Sequence, residues 1–373
     1  MRDGPRAVKR SELGSLADLL LEVFEFYRER YSREQLRRQL SSGGGMSNTR
    51  VIVEDGKVVS HIRAVYSTMS IFGCRMKVAS IGGVGTHPDY RGRGHASAML
   101  DDALSRMRDR GVRLLIVSGD RGLYRRAGCR HVGNLLEAKL SPQGHATFSP
   151  GVTARRATPD DWPLLAHMYQ CEPVRFLRSR DEFAHLAAST GDSYGEIWVV
   201  ADETGVVAYV CLGPTWSRPA EPRRLVEEYA GSRTAILGAL PLLLEDLGLT
   251  EVSLPFARCD REMLHLITTR GIPVIPRLLD GTYRMIDMVG LLRDLKPYLA
   301  SRLSWSEARQ LVCTMQDGAY ELSVGEQRMS VTPAEAVELV LGSPEGRPIP
   351  AGIANLASCV FPLPMVPTGL NAV

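Results

Sequence analysis

The sequence predicts an α/β chain in which mixed sheets are flanked by helices, laid out as successive units along the chain. Three observations point there. At 373 residues the chain is too long for one ordinary core. A β-rich run joined by Asp55-Gly56 leads into a strand that passes through a glycine-rich turn into an amphipathic helix. Element-starting signals then restart near Val152 and again near Met285.

Taken in order, Ala17–Arg30 reads as an amphipathic helix, and Ser41–Asn48, with three consecutive glycines, as a loop. Val51–Glu54 and Val58–Tyr66 read as the strands of a hairpin, because Asp55-Gly56 tolerates the positive φ angles of a two-residue turn. Lys77–Thr86 is a further strand, ending at His87-Pro88. Gly94–Arg110 is a helix with Ala96, Leu100, Ala103, Leu104 and Met107 on one face and Gly111 as its stop. Val112–Ser118 has the unbroken apolar look of a buried parallel strand.

Ser141–Gly151 reads as a linker. Beyond it, Val152–Arg156 is a strand, Thr158-Pro159-Asp160-Asp161 starts a helix, and Glu196–Ala201 and Val206–Leu212 are strands. A helix near Thr234–Leu247 and a strand at Glu251–Pro255 follow. The last unit opens with a helix at Asp287–Leu299 and short strands at Leu311–Met315, Tyr320–Val324 and Arg328–Val331. Thr332-Pro333-Ala334-Glu335 is a capping box, and Gly342 closes that helix. The tail Phe361–Val373 has three prolines and no charged side chain, and reads as an ordered or docked extended segment.

Composition narrows the function. A net charge of +3 with basic and acidic residues interleaved gives no footprint for nucleic acid. Met1–Arg10 is polar and no stretch approaches the roughly 20 apolar residues of a membrane span, so a cytoplasmic protein off the membrane is expected. Seven widely spaced cysteines and eight dispersed histidines form no disulfide framework or metal motif, so no metal is expected.

The chemistry is concentrated in Val84–Ala96. Arg91-Gly92-Arg93-Gly94-His95-Ala96 couples a strand end to a helix start. Glycines let another molecule approach the backbone, the first helical turn leaves unpaired N–H groups at a positive dipole end, and two arginines add charge-assisted donors. The arrangement suits a pyrophosphate. It lacks the G-x-G-x-x-G spacing of a dinucleotide fold and the Gly-Lys-Ser/Thr of a P-loop.

This stretch resembles the signature of the GNAT superfamily of acyl-CoA-dependent N-acetyltransferases, Arg/Gln-x-x-Gly-x-Gly/Ala after a Val-x-x-x-Pro strand end. The resemblance implies that backbone at Val84, Gly85 and Thr86 pairs with the pantetheine arm of acetyl-CoA. It also implies that Arg91 and the amides of Gly92, Arg93, Gly94, His95 and Ala96 hold the pyrophosphate. About 30 residues on, Tyr124-Arg125-Arg126-Ala127-Gly128-Cys129 resembles the family's Tyr-x-x-x-Gly-Phe, with Cys in place of Phe. Tyr124 is then the general acid, since a phenol delivers a proton to a departing thiolate without ionising itself at neutral pH.

The base is open among His61, a carboxylate of Glu54 or Asp120 acting through water, and the chain's own end. The three-part layout resembles the Eis-like branch: a GNAT domain over 1–145, a second GNAT-like domain without the cofactor motif over 150–284, and a sterol-carrier-protein-like domain over 285–373. In that branch the terminal carboxylate serves as base, which here implies Val373. The resemblance further implies a homo-oligomer and a cationic amine substrate: a polyamine, a lysine side chain or an aminoglycoside-like molecule. Glu22, Glu25 and Phe24 are candidates to receive it. The expected reaction is acetyl transfer to a primary amine by direct attack in a ternary complex. The competing class is a non-catalytic acyl-CoA or lipid binder that uses the last domain.

Overall fold

A computed structural model describes residues 2–41, 45–142, 151–193, 196–214, 224–342 and 351–371. The first sheet is built from β1 (Asp3–Ala7), β2 (Thr49–Glu54), β3 (Lys57–Ile71), β4 (Cys74–Thr86) and β5 (Leu114–Val117) in that order. Strands β1 to β4 are antiparallel, while β5 runs parallel to β4. The parallel step needs a crossover, supplied by helix α4 (His95–Asp109). Ahead of β2 lie helices α1 (Leu13–Val23), α2 (Glu25–Arg30) and α3 (Arg33–Ser41).

Three local departures from the sequence reading have physical causes. The single helix expected over Ala17–Arg30 starts earlier and breaks at Phe24, which is extended (φ −121°, ψ 115°). Its ring lies on Gly85 of β4, where a Cβ would stand 3.0 Å away. The strand expected to end at Tyr66 continues to Ile71, because Phe72 and Gly73 form a second tight turn with φ of 47° and 87°. The hairpin turn at Asp55-Gly56 has the positive angles anticipated, 51° and 77°.

The chain then leaves the first sheet. β6 (Leu135–Leu140), following the short helix α5 (Gly122–Arg126), joins a second seven-stranded sheet. That sheet also holds β7 (Thr153–Arg156), β9 (Glu196–Asp202), β10 (Gly205–Pro214), β11 (Arg224–Gly231), β12 (Val252–Ala257) and β13 (Val274–Arg277). β8 (Val174–Phe176) and β14 (Thr282–Met285) go the other way, pairing with β3 and β5 of the first sheet. Each sheet thus takes strands from the other's stretch of chain. Helices α6 (Trp162–Cys171) and α7 (Arg180–Ser193) cover one face of the second sheet, and α8 (Arg233–Asp246) with α9 (Arg261–Thr268) covers the other.

The helix expected over Asp287–Leu299 is two, α10 (Met288–Asp294) and α11 (Lys296–Arg302). Pro297 in the first turn of α11 has no N–H to continue the earlier ladder. After the short helix α12 (Trp305–Gln310), β15 (Leu311–Gln316), β16 (Ala319–Val324) and β17 (Gln327–Val331) make a third sheet, followed by α13 (Pro333–Leu341) and α14 (Ala351–Val360). This unit packs on the first sheet's face opposite α4, in one core with Met76, Val78, Leu114 and Ile116. Arg113, next to β5, ties the two together through Asp287 and, at 2.7 Å, Asp294. Of the expected linker, residues 143–150 lie outside the described residues.

Candidate functional site

β4 and β5 pair from Val78↔Leu114 to Ile81↔Val117 and then part. Among the described residues, β4 runs on to Thr86 paired only with β3, on its other side. The register with β3 slips between His61↔Gly85 and Arg63↔Gly82, so β4 carries one extra residue in a bulge at Gly83-Val84. A crevice therefore opens beside Gly82–Thr86, flanked by an unpaired strand edge.

The glycine turn lies directly beyond. Gly92 and Gly94 have φ of 75° and 76°, in the left-handed region that favours glycine, and a Cβ at either would meet nothing within 4 Å. Gly94 is the N-cap of α4 and brings no side-chain cap. Among the described residues, no acceptor faces the amides of Gly92, Arg93, Gly94, His95 and Ala96; the first intrahelical bond comes from Ala98 to Gly94. A row of free donors at the start of a 15-residue helix fits an anion such as pyrophosphate. The guanidinium of Arg91 donates to the Thr86 carbonyl (3.2 Å). Arg93 donates to the Asp89 carbonyl (3.0 Å), approaches Glu54 and stacks over Tyr90. The His95 side chain turns inward, 3.1 Å from Glu54.

Tyr124 lies in α5, just past the end of β5, and is 6% exposed. Its ring rests against Gly119, in the same core as Ile81 and Val117. Burial raises its pKa, so the phenol stays protonated. Among the described residues no hydrogen bond reaches its hydroxyl. Gly128 takes φ 85°, and Cys129 packs in the core where the family pattern has Phe, its thiol pushed up to about 11 by burial.

The tail approaches from the other face of the sheet. Leu363 and Met365 are buried, and the Leu363 carbonyl accepts from Asn134 (3.0 Å). Thr368 and Asn371 then border a cavity of about 80 Å³ together with Ser80, Ile116 and Ser118. Ser80 and Ile81 alternate across β4, so Tyr124 and the tail converge on the crevice from opposite faces. The end of the tail is anchored on residues the sequence reading missed. Arg178 donates to Asn371 (2.7 Å) and twice to Glu228 (2.8 and 2.7 Å), and Glu228 accepts from the Tyr209 hydroxyl and the Leu370 amide. Val373 lies outside the described residues.

The remaining candidates are spread around this crevice. Phe24 touches Gly85, Glu22 sits 3.1 Å from His87, and Glu25 begins α2 on the surface. His61 is 2% exposed and its Nδ1 bonds the Gly83 carbonyl at 2.7 Å. Burial pushes its pKa down to about 4, which makes it a neutral support under the bulge. Asp120 pairs with Arg125 and His131, which hold its carboxyl at about 2. Glu54 is engaged by Arg93 and His95.

Among the described residues, no group of three or more His, Cys, Asp or Glu side chains is arranged to hold a metal ion, and no helix is long and apolar enough to cross a membrane. Residues 5–132 match the family model of the acetyltransferase (GNAT) domain. No protein of curated function matches the sequence. Solved structures share the fold. Eis1 from Mycobacterium abscessus superposes with a TM-score of 0.59 at 16% identity, over 98% of this chain and 95% of that one. A GCN5-related N-acetyltransferase from Kribbella flavida gives 0.56 at 16%, over 90% and 81%. A probable N-acyltransferase from Enterococcus faecalis gives 0.59 at 17%, over 79% and 74%.

Proposed function

From the premise that residues 5–132 form a GNAT acetyltransferase domain in an acyltransferase of Eis-like fold, we propose that this chain transfers acetyl from acetyl-CoA to a primary amine by direct attack in a ternary complex. The carrying observation is the row of acceptor-free amides from Gly92 to Ala96 beside the unpaired edge of β4. Val84, Gly85 and Thr86 would bind the pantetheine arm along that edge, and the turn would hold the pyrophosphate. Acetyl-CoA supplies the acyl group as a thioester, and the amine's attack releases the CoA thiolate. Tyr124 gives that thiolate its phenolic proton. The α-carboxylate of Val373 takes the proton that the arriving ammonium must lose; the anchoring of Asn371 beside Ser80 and Ser118 supports this role. Phe24 lines the acceptor side and Glu22 and Glu25 attract the cation.

The chain is read as three parts, 1–145, 150–284 and a sterol-carrier-like 285–373, with β6 given to the second sheet and β8 and β14 to the first. A cytoplasmic homo-oligomer acting on a polyamine, a lysine side chain or an aminoglycoside-like amine completes the reading. Release of free thiol from acetyl-CoA, assayed against such amines, tests it. Tyr124→Phe is expected to lower turnover by about 100-fold or more while CoA affinity holds. Unchanged turnover in that variant removes Tyr124 from the mechanism.

A further inference from the structure

The second sheet repeats the opening of the first with different chemistry inside. Among the described residues, β11 and β12 pair in parallel at Arg224↔Val252 and Leu225↔Ser253 and then part. The register of β10 against β11 then slips from Leu212↔Val226 to Cys211↔Glu228, leaving Glu227 as the extra residue of a bulge. In the first sheet that step falls on Gly83-Val84. The anion cradle is gone as well. β11 leads through Ser232 straight into α8, Ser232 caps the Ala235 amide, and Arg233 is bound by Glu172 and Asp260. This crevice does not fit a second acyl-CoA.

What it encloses is a cavity of about 360 Å³, bordered on one side by Val366 and Pro367 of the tail. Most acids on its wall have partners. Glu228 is bonded by Arg178, and Glu172 and Asp260 share Arg233. Glu227 differs: it is 6% exposed, and among the described residues no hydrogen bond or ion pair reaches its carboxyl. Burial, with Asp280 and Glu228 nearby, pushes its pKa up to about 8. A carboxylate so enclosed is costly unless a positive donor accompanies it. Apolar wall from Val174, Ala257 and Val366 and the Tyr229 ring suit a short alkyl stem, and the volume falls in the range of small-molecule sites.

We propose that the crevice of the second sheet is a binding site for a small free alkylammonium ligand, with Glu227 as its counter-charge, separate from the β4/β5 crevice. The inference stands independently of the acyl-transfer reading. Calorimetry of the full chain with 1,4-diaminobutane at about pH 7, repeated in buffers of different ionisation enthalpy, tests it. Binding is expected to release a proton, because the ammonium selects the ionised form of Glu227. Glu227→Gln keeps the side chain's shape and removes the enclosed acid, so it should fold at least as well. It is expected to lose about tenfold or more in affinity together with the proton release. Equal affinity and equal proton release in the variant would overturn the proposal, as would the absence of binding by the unaltered protein.

Discussion

Arg178 is where the tail's position is decided, and its replacement by leucine tests that directly. Its side chain is 3% exposed and that of Glu228 is 6% exposed. Burial works against the guanidinium's charge, but the Glu228 carboxylate, together with Tyr169 and Tyr209, offsets this and raises the arginine's pKa. Without Arg178, Glu228 keeps, among the described residues, the Tyr209 hydroxyl (2.7 Å) and the Leu370 amide (3.1 Å) as donors. Breaking a buried pair in this way costs about 3–5 kcal/mol. Adding Glu228→Gln removes the stranded charge, so the double variant should be less destabilised than the sum of the singles by roughly 2 kcal/mol. A gentler substitution separates stability from catalysis. Asn371→Leu removes one charge-assisted bond, worth about 1.5–3 kcal/mol, from the docked tail alone. That shifts the docked population by roughly 10- to 150-fold. Urea midpoints should fall for Arg178→Leu and barely move for Asn371→Leu, while thiol-release turnover falls in both at an unchanged KM for acetyl-CoA. An Arg178→Leu loss below about 1 kcal/mol, or full turnover in Asn371→Leu, would refute the account of the anchor.

Two further outcomes follow from the glycine turn and the bulge. Gly94→Ala meets no atom, so its cost is the left-handed backbone, about 1–2 kcal/mol, plus a methyl group beside the free amides; the KM for acetyl-CoA should rise several-fold with little change in kcat. His61 has a folded pKa of about 4 against about 6.5 unfolded, so the unfolded chain takes up a proton first as pH falls. Its contribution is complete above about pH 6.5 and is lost towards pH 4, by about 3 kcal/mol. Urea midpoints across that window should fall more steeply for the unaltered protein than for His61→Asn, and parallel slopes would contradict the assignment.

Much of the architecture around the crevice is legible in the sequence because local chemistry determines it. Asp55-Gly56 and Gly111 mark positions with φ of 51°, 77° and 69°, and Thr332 with Glu335 makes the capping box the spacing predicts. The glycine turn is equally local. What stays hidden depends on partners far away in the chain. Phe72 at φ 47° carries no turn signature, and Phe24 leaves the helix where its ring lies against the distant Gly85. Arg178, Glu228 and Asn371 look like unrelated polar residues until folding brings them together. Glu227 reads as one acid in a strand until the bulge turns it into the crevice.

The exchange of strands between the first two sheets bears on how the protein comes off the ribosome. β5 emerges early, but its antiparallel neighbour β14 begins roughly 165 residues later, with Thr282 opposite Val117. At ordinary synthesis speeds that gap is roughly ten to thirty seconds. Until it closes, one edge of β5 stays open to pairing with another chain. The unit that carries the glycine turn therefore does not mature as an autonomous N-terminal module. Its completion is a late, long-range event that waits on the unit made after it, and a fragment cut near residue 145 would be born with an adhesive edge.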